Sequence, residues 1–248
     1  MENFNKVTRV YSQLKKEYQD VISDITKRMG NGMADFMEKE VVTLKDWDLY
    51  CHYVAGLVGI GLSGIFANSG LEDKRFSEWV TLSNNMGLFL QKTNIVRDYR
   101  EDVDQNRFFW PKEVWSKYAS NIQDFREDKN STNANYCLNE LIGNALQLIP
   151  DVLEYLSRIR DKNVFNFCAI PQVMAIATMT LCFNNHDVFI KNVKIPRQEA
   201  EELIKGVAIN GMTSVYNSFS HYLTIISSKI PQSDPNRQTY VYYIINII

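Results

Sequence analysis

The chain is short of backbone breakers: six prolines and eleven glycines in 248 residues leave long uninterrupted stretches, and alternation of the kind that builds half-buried strands is scarce. It also lacks an excess of either charge, with 27 Lys and Arg against 29 Asp and Glu, so no basic face invites nucleic acid. Its three histidines, His52, His186 and His221, have no HxxxH or HExxH spacing. The four cysteines, Cys51, Cys137, Cys168 and Cys182, lie far apart in apolar contexts, with no CxxC pair. A zinc site, a redox pair and a disulfide framework therefore find no support, and the thiols suit a reducing compartment. The first residues are mixed and charged, unlike a signal peptide, and no run of 18 consecutive apolar residues occurs. The tail from Tyr240 is apolar apart from Asn246, too short to span a bilayer. It reads equally as the start of a hydrophobic anchor or as a terminal helix packed on the body.

What remains is helix. The pattern predicts an all-α, single-domain helical bundle over 1–248, with helices at about 5–28, 32–40, 44–66, 75–102, 112–119, 131–160, 164–184 and 197–228. Pro150 should kink or divide the sixth, and Pro196 fits the first turn of the last. Thr43-x-x-Asp46 is a weak capping box, with Asp in place of Glu, before the third.

Residues 86–111, MGLFLQKTNIVRDYREDVDQNRFFWP, put acid groups where a core is expected. At helical spacing Gly87, Gln91, Asn94, Asp98 and Asp102 fall on one stripe, while Leu88, Phe89, Leu90, Ile95, Val96 and Tyr99 cover the other faces. Carboxylates four residues apart on a helix stand about 5–6 Å from each other and repel unless a cation or donor lies between them. Hard oxygen ligands of this kind suit Mg²⁺, which takes one or two carboxylates and lets substrate phosphates complete its shell. The bland alternative is a solvated helix end, but it leaves Gln91 and Asn94 unexplained. A second motif misleads: Gly59-Ile-Gly-Leu-Ser-Gly64 matches G-x-G-x-x-G, yet no strand carrying an acid follows about 20 residues on, so a dinucleotide fold is rejected.

Gly87-x-x-x-Gln91-x-x-Asn94-Ile95-x-Arg97-Asp98-Tyr99-x-x-Asp102, followed by Arg107-x-Phe109-x-Pro111, resembles the second aspartate-rich signature of the squalene and phytoene synthases. YCHYVAGLVGIGLSGI at 50–65 resembles another signature of that family. Further blocks, including FNFCAIPQVM at 165–174, look closer to the squalene than to the phytoene branch. The resemblance covers about 18–235. It implies a central cavity inside the bundle and a head-to-head condensation of two farnesyl diphosphates to presqualene diphosphate, then reduction to squalene with NADPH. Asp98 and Asp102 would hold Mg²⁺ and diphosphate, Gln91 and Asn94 would orient the cluster, and Arg107 would neutralise released diphosphate. Tyr50 would shuttle a proton; Phe165, Phe167, Cys168 and Pro171 would shape the apolar pocket; Lys194 and Arg197 would meet cofactor phosphate. It further implies a monomer on the cytosolic face of the endoplasmic reticulum membrane.

The chain departs from the family in one respect. The family carries two facing aspartate-rich motifs, and the first belongs upstream of the MGNGMADF block, which only about 28 residues precede here. Asp20 and Asp24 have tempting spacing but align with the wrong stretch and read as solvated or locally paired. A shortened N terminus and a C-terminal anchor missing or only begun are therefore expected, with an opened cavity wall and doubtful turnover. Two alternatives stand beside this reading: a phytoene- or dehydrosqualene-type synthase without reductant, and a non-catalytic helical paralogue.

Overall fold

A computed structural model describes residues 3–247, and among them there is no strand. The helices are α1 (Phe4–Gln13), α2 (Lys16–Glu38), α3 (Leu44–Cys51), α4 (Leu57–Ser69), α5 (Val80–Arg97) and α6 (Tyr99–Asp104). They continue with α7 (Lys112–Trp115), α8 (Ser131–Leu146), α9 (Ile149–Ser157), α10 (Lys162–Cys182), α11 (Asp187–Ile190), α12 (Arg197–Asn210), α13 (Met212–Lys229) and α14 (Arg237–Ile247). The all-α bundle is as expected, and one buried apolar cluster runs from Val41 to Ile244.

Helix α5 is the axis of the bundle, touching α4, α8, α9 and α10. It is buried on most sides, at Met86, Leu88, Phe89, Lys92, Ile95 and Val96 among others, with Gln91 and Asn94 on the remaining polar stripe. Glycines let its neighbour approach backbone to backbone. A Cβ on Gly87 would lie 2.3 Å from the Ala55 carbonyl oxygen, and one on Gly59 would lie 2.1 Å from that of Ser83. The would-be dinucleotide glycines are thus helix-packing positions.

Between α3 and α4 the chain makes one π-helical turn, His52–Gly56, inside a continuous helical segment. The extra residue rotates everything after it. The sequence places Tyr50, Val54, Val58 and Gly61 on one face; the turn breaks that face, and Gly61 instead lies against Ile25 of α2. The capping box is complete, since Asp46 N donates to Thr43 Oγ1 and Thr43 N donates to Asp46.

Several boundaries differ from expectation. The predicted break between 28 and 32 is absent, because Gly32 seats the Tyr53 ring, 2.1 Å from where its Cβ would be, rather than ending a helix. The break falls at Leu14 and Lys15, both extended, where Gln19 Nε2 donates to the Leu14 carbonyl at 2.8 Å. The 75–102 helix divides at Asp98 (φ −92°, ψ 12°), and the 197–228 helix divides at Gly211, whose φ of 58° favours glycine. Residues 112–119 are helical only over Lys112–Trp115. Pro150 divides its helix as expected, entering the first turn of α9. The apolar tail is α14, docked through Tyr240 and Ile244, with the Tyr240 ring filling the space beside Gly143. Asp20 and Asp24 pair with Lys16 and Arg28 on α2.

Two helical segments, Leu44–Ser69 and Lys162–Cys182, are long and apolar enough by composition to cross a membrane. A count of consecutive apolar residues overlooks them because scattered polar side chains interrupt both. In this fold they pack against each other's neighbours on α5.

Candidate active site

Two adjoining hollows lie along the polar stripe of α5, and a third lies around Tyr50 and Arg107. The first, about 590 Å³, is apolar: Val54, Ala55, Val58 and Leu62 from the α3–α4 segment face Phe167, Cys168, Ile170 and Pro171 of α10. Gly87, Gln91 and Asn94 form its base. Neither Gln91 nor Asn94 has a side-chain hydrogen-bond partner among the described residues, so both amides are available to a ligand. Phe167 is 59% exposed and Val58 40%, which leaves the apolar wall open on one side. Pro171 sits inside α10, where a proline removes a helical hydrogen bond, and it lines this hollow and the next.

The second hollow, about 630 Å³, begins where the first ends, at Leu90, Asn94 and Pro171. Its polar wall holds Arg97, Asp98, Glu101, Asn192 and Lys194. The segment carrying Lys194 is fixed to α6, because Asn192 Nδ2 donates to Glu101 Oε1 at 2.5 Å and Arg100 donates to the Ile190 carbonyl at 3.1 Å. The third hollow, about 760 Å³, holds Tyr50, Arg107, Phe109 and Phe36.

Each acid of the stripe is held by a neighbouring guanidinium. Arg97 donates to both oxygens of Asp98, each at 2.7 Å, and Arg107 Nη2 donates to Asp102 Oδ1 at 2.7 Å. The repulsion expected between the two carboxylates is thereby relieved without a metal. Burial pushes the Asp102 carboxyl above its ordinary range, with Arg107 pulling against it, and Asp98 raises the Arg97 guanidinium. Tyr50 stacks on Phe109 with centroids 4.8 Å apart and meets Phe36 edge-on. Burial raises the Tyr50 hydroxyl to about 12, and the charges of Asp102 and Arg107 act on it.

The structure thus gathers Gln91, Asn94, Phe167 and Cys168 in one hollow, Asp98 and Lys194 in the next, and Tyr50 and Arg107 in the third. Two expectations are corrected. Phe165 points into the core at 8% exposure and shapes no hollow. Arg197 stands at the solvent-facing start of α12, paired with Glu201 at 2.9 Å, and does not line the hollow that Lys194 lines. Arg97 takes that place. Its position next to Asp98 in the motif was the available signal, overlooked because an Arg beside an Asp reads as a simple surface pair.

The model of the squalene/phytoene synthase family matches residues 1–200. The chain belongs to this family. A squalene synthase of Dictyostelium discoideum is 47% identical over 247 residues, covering 100% of this chain and 59% of its own length. One of Rattus norvegicus is 52% identical over 236 residues, covering 95% of this chain and 56% of its own. A solved structure of TcSQS in complex with the ligand E5700 superimposes with a TM-score of 0.96 at 43% identity, covering 99% of this chain and 72% of that one. The chain therefore spans a little over half the length of the curated relatives it matches.

Proposed function

We propose that the chain carries the diphosphate-binding and isoprenoid-binding wall of a squalene synthase. The reaction is the joining of two farnesyl diphosphates to presqualene diphosphate, then reductive rearrangement to squalene. One observation supports this above the others: an amide-and-carboxylate stripe runs along α5 to its C-terminal Asp98, from an apolar hollow to a hollow rimmed by Arg97 and Lys194. A polar head and a long apolar tail are recognised end to end. The identity to squalene synthases favours this product over a reductant-free condensation.

The residues present fit Mg²⁺, since two carboxylates one helical turn apart leave the rest of the shell to phosphate oxygens. Bound there, the ion would neutralise diphosphate so that it can leave. Arg97 and Arg107 now occupy Asp98 and Asp102; on arrival of diphosphate they turn to its oxygens and release the carboxylates. Gln91 and Asn94, on the same face, orient the cluster. Tyr50 keeps its proton at neutral pH because burial raises it to about 12, so Oη is a donor beside Asp102 and Arg107. Its ring, held by Phe109, presents a π-face to positive charge. Phe167, Cys168 and Pro171 hold the isoprenoid chain and exclude water from it.

NADPH is implied by the likeness to squalene synthases; Lys194 is its candidate phosphate contact in the second hollow, whose other charges, Arg97, Asp98 and Glu101, give no positive excess. That cofactor would supply the hydride of the second half-reaction. By the same reading the protein works at the endoplasmic reticulum membrane.

Titration of the chain with farnesyl thiodiphosphate, an unreactive analogue, with and without Mg²⁺ tests the assignment. Binding should require the ion and should weaken at least about tenfold in Asp98→Asn or Asp102→Asn, the loss of one charge-assisted contact. Equal binding without Mg²⁺ in the parent would overturn it.

A further inference from the structure

The apolar hollow contains a phenol that should not be there. Tyr155, from α9, lines it beside Cys168 and Leu62, yet squalene formation as proposed above passes through carbocations that any oxygen in reach can trap. The hydroxyl is turned away. Tyr155 OH lies 2.7 Å from Ser63 Oγ of α4, and Ser63 Oγ lies 2.8 Å from Ser83 Oγ of α5. Ser83 Oγ in turn donates to the Trp79 carbonyl at 2.8 Å.

The Gly59 and Trp79 carbonyls, 2.9 and 2.8 Å away, are acceptors for the two serine protons: with Ser83 donating to Trp79 and Ser63 donating to Gly59 or Ser83, Ser63 accepts from Tyr155. The phenol proton therefore points into the α4–α5 interface, where the glycine contacts leave no space for water.

We propose that Ser63 is a positioning residue for the isoprenoid hollow. It holds the Tyr155 hydroxyl against the α4–α5 interface, so the wall between Leu62 and Cys168, away from the Gln91 and Asn94 amides, presents a ring and not a donor, and water finds no anchor on that wall. This rests on the squalene synthase reading for its chemical consequence. A water held by a freed phenol would add its oxygen lone pair to the cationic carbon, forming a C–O bond, and lose a proton to the released diphosphate. The product would be a C30 alcohol with the hydride unused. Burial also raises the Tyr155 hydroxyl above its ordinary value, consistent with a neutral donor.

The experiment compares the parent with Ser63→Ala, Tyr155→Phe and the double variant. With tyrosine labelled by ¹³C at Cζ, the Tyr155 signal, assigned by its loss in Tyr155→Phe, should split in mixed H₂O and D₂O through slow hydroxyl exchange. Ser63→Ala should collapse the splitting. Ser83→Ala should preserve it, because Ser63 then donates to Gly59. Farnesyl thiodiphosphate should bind several-fold more weakly to Ser63→Ala and recover in the double variant, where the phenol is gone. With farnesyl diphosphate, Mg²⁺ and NADPH, the C30 alcohol fraction should rise several-fold in Ser63→Ala and fall back in the double variant. Fast exchange in the parent, unchanged binding in Ser63→Ala, or failure of the double variant to recover would overturn the proposal. Absence of any C30 product in all variants, with exchange and binding as expected, would remove the assigned reaction and leave Ser63 supported as the residue that keeps the hollow dry.

Discussion

Lys92 is a charge in the core, and removing it should cost less than removing its partner Asp48. Its side chain is 2% exposed, between Gln91 and the buried face of α5. The ammonium lies 2.5 Å from Asp48 Oδ1, donates to Asn144 Oδ1 at 2.6 Å and sits 4.7 Å above the Trp47 ring. Three elements, α3, α5 and α8, converge on one positive charge, two residues before Tyr50 along α3. Removing Asp48 leaves that charge buried with only an amide and an indole. Breaking a buried pair this way costs about 3–5 kcal/mol. Asp48 is itself 49% exposed, so solvent already screens part of the attraction, and a cost below that range, about 2–3 kcal/mol, applies to Asp48→Ala. Lys92→Met keeps the apolar stem, removes the buried charge and lets the half-exposed Asp48 turn to water. Besides the screened ion pair, the Asn144 hydrogen bond and the contact with the Trp47 ring are lost, about 1 kcal/mol each, offset by the desolvation no longer suffered. Lys92→Met should therefore fall within about 1 kcal/mol of the parent. Urea unfolding followed by circular dichroism measures both, provided the slopes agree. If Lys92→Met proves more damaging than Asp48→Ala, the ammonium is a net stabiliser and the reasoning fails.

Gly87→Ala should lower stability by about 2–3 kcal/mol despite the better helix propensity of alanine, because its Cβ would meet backbone at Ala55 and Gly56, which cannot rotate away; a melting temperature equal to the parent's would contradict the close approach. Burial raises the Asp234 carboxyl above its ordinary range, against hydrogen bonds from Asn139 and Asn236. The folded state therefore binds more protons than the unfolded one, and stability falls as pH rises from the ordinary carboxylate value, about 3.9, through the raised folded one. Urea midpoints across that window should decline in the parent and stay flatter in Asp234→Asn; parallel profiles would refute the sign. Tyr50→Phe keeps the ring stacked on Phe109, so farnesyl thiodiphosphate binding should persist while condensation of farnesyl diphosphate stops. Presqualene diphosphate formed at the parent rate would make the hydroxyl structural.

The helical class and the polar stripe were legible from local signals alone. Scarce proline, apolar periodicity and a capping box sufficed for an all-α bundle, because those signals act within a few residues of each other. Gln91, Asn94, Asp98 and Asp102 were legible for the same reason: polar groups at helical spacing in an otherwise apolar run have no packing purpose. The expected gap between 28 and 32 was not there, because what Gly32 does, seating the Tyr53 ring inside a continuous α2, depends on a residue 21 positions away. Only the tertiary structure decided which long-range neighbours complete the site. The π-helical turn at His52–Gly56 set Tyr50 apart from Val54 and Val58. The crossing of α10 over α5 chose Phe167 over Phe165, and the path of 191–196 brought Lys194, not Arg197, to Arg97. Ser63, Ser83 and Tyr155 come from three helices and carry no shared motif. Their meeting depends on how closely α4 and α5 pack, and spacing along one chain does not encode a distance between helices.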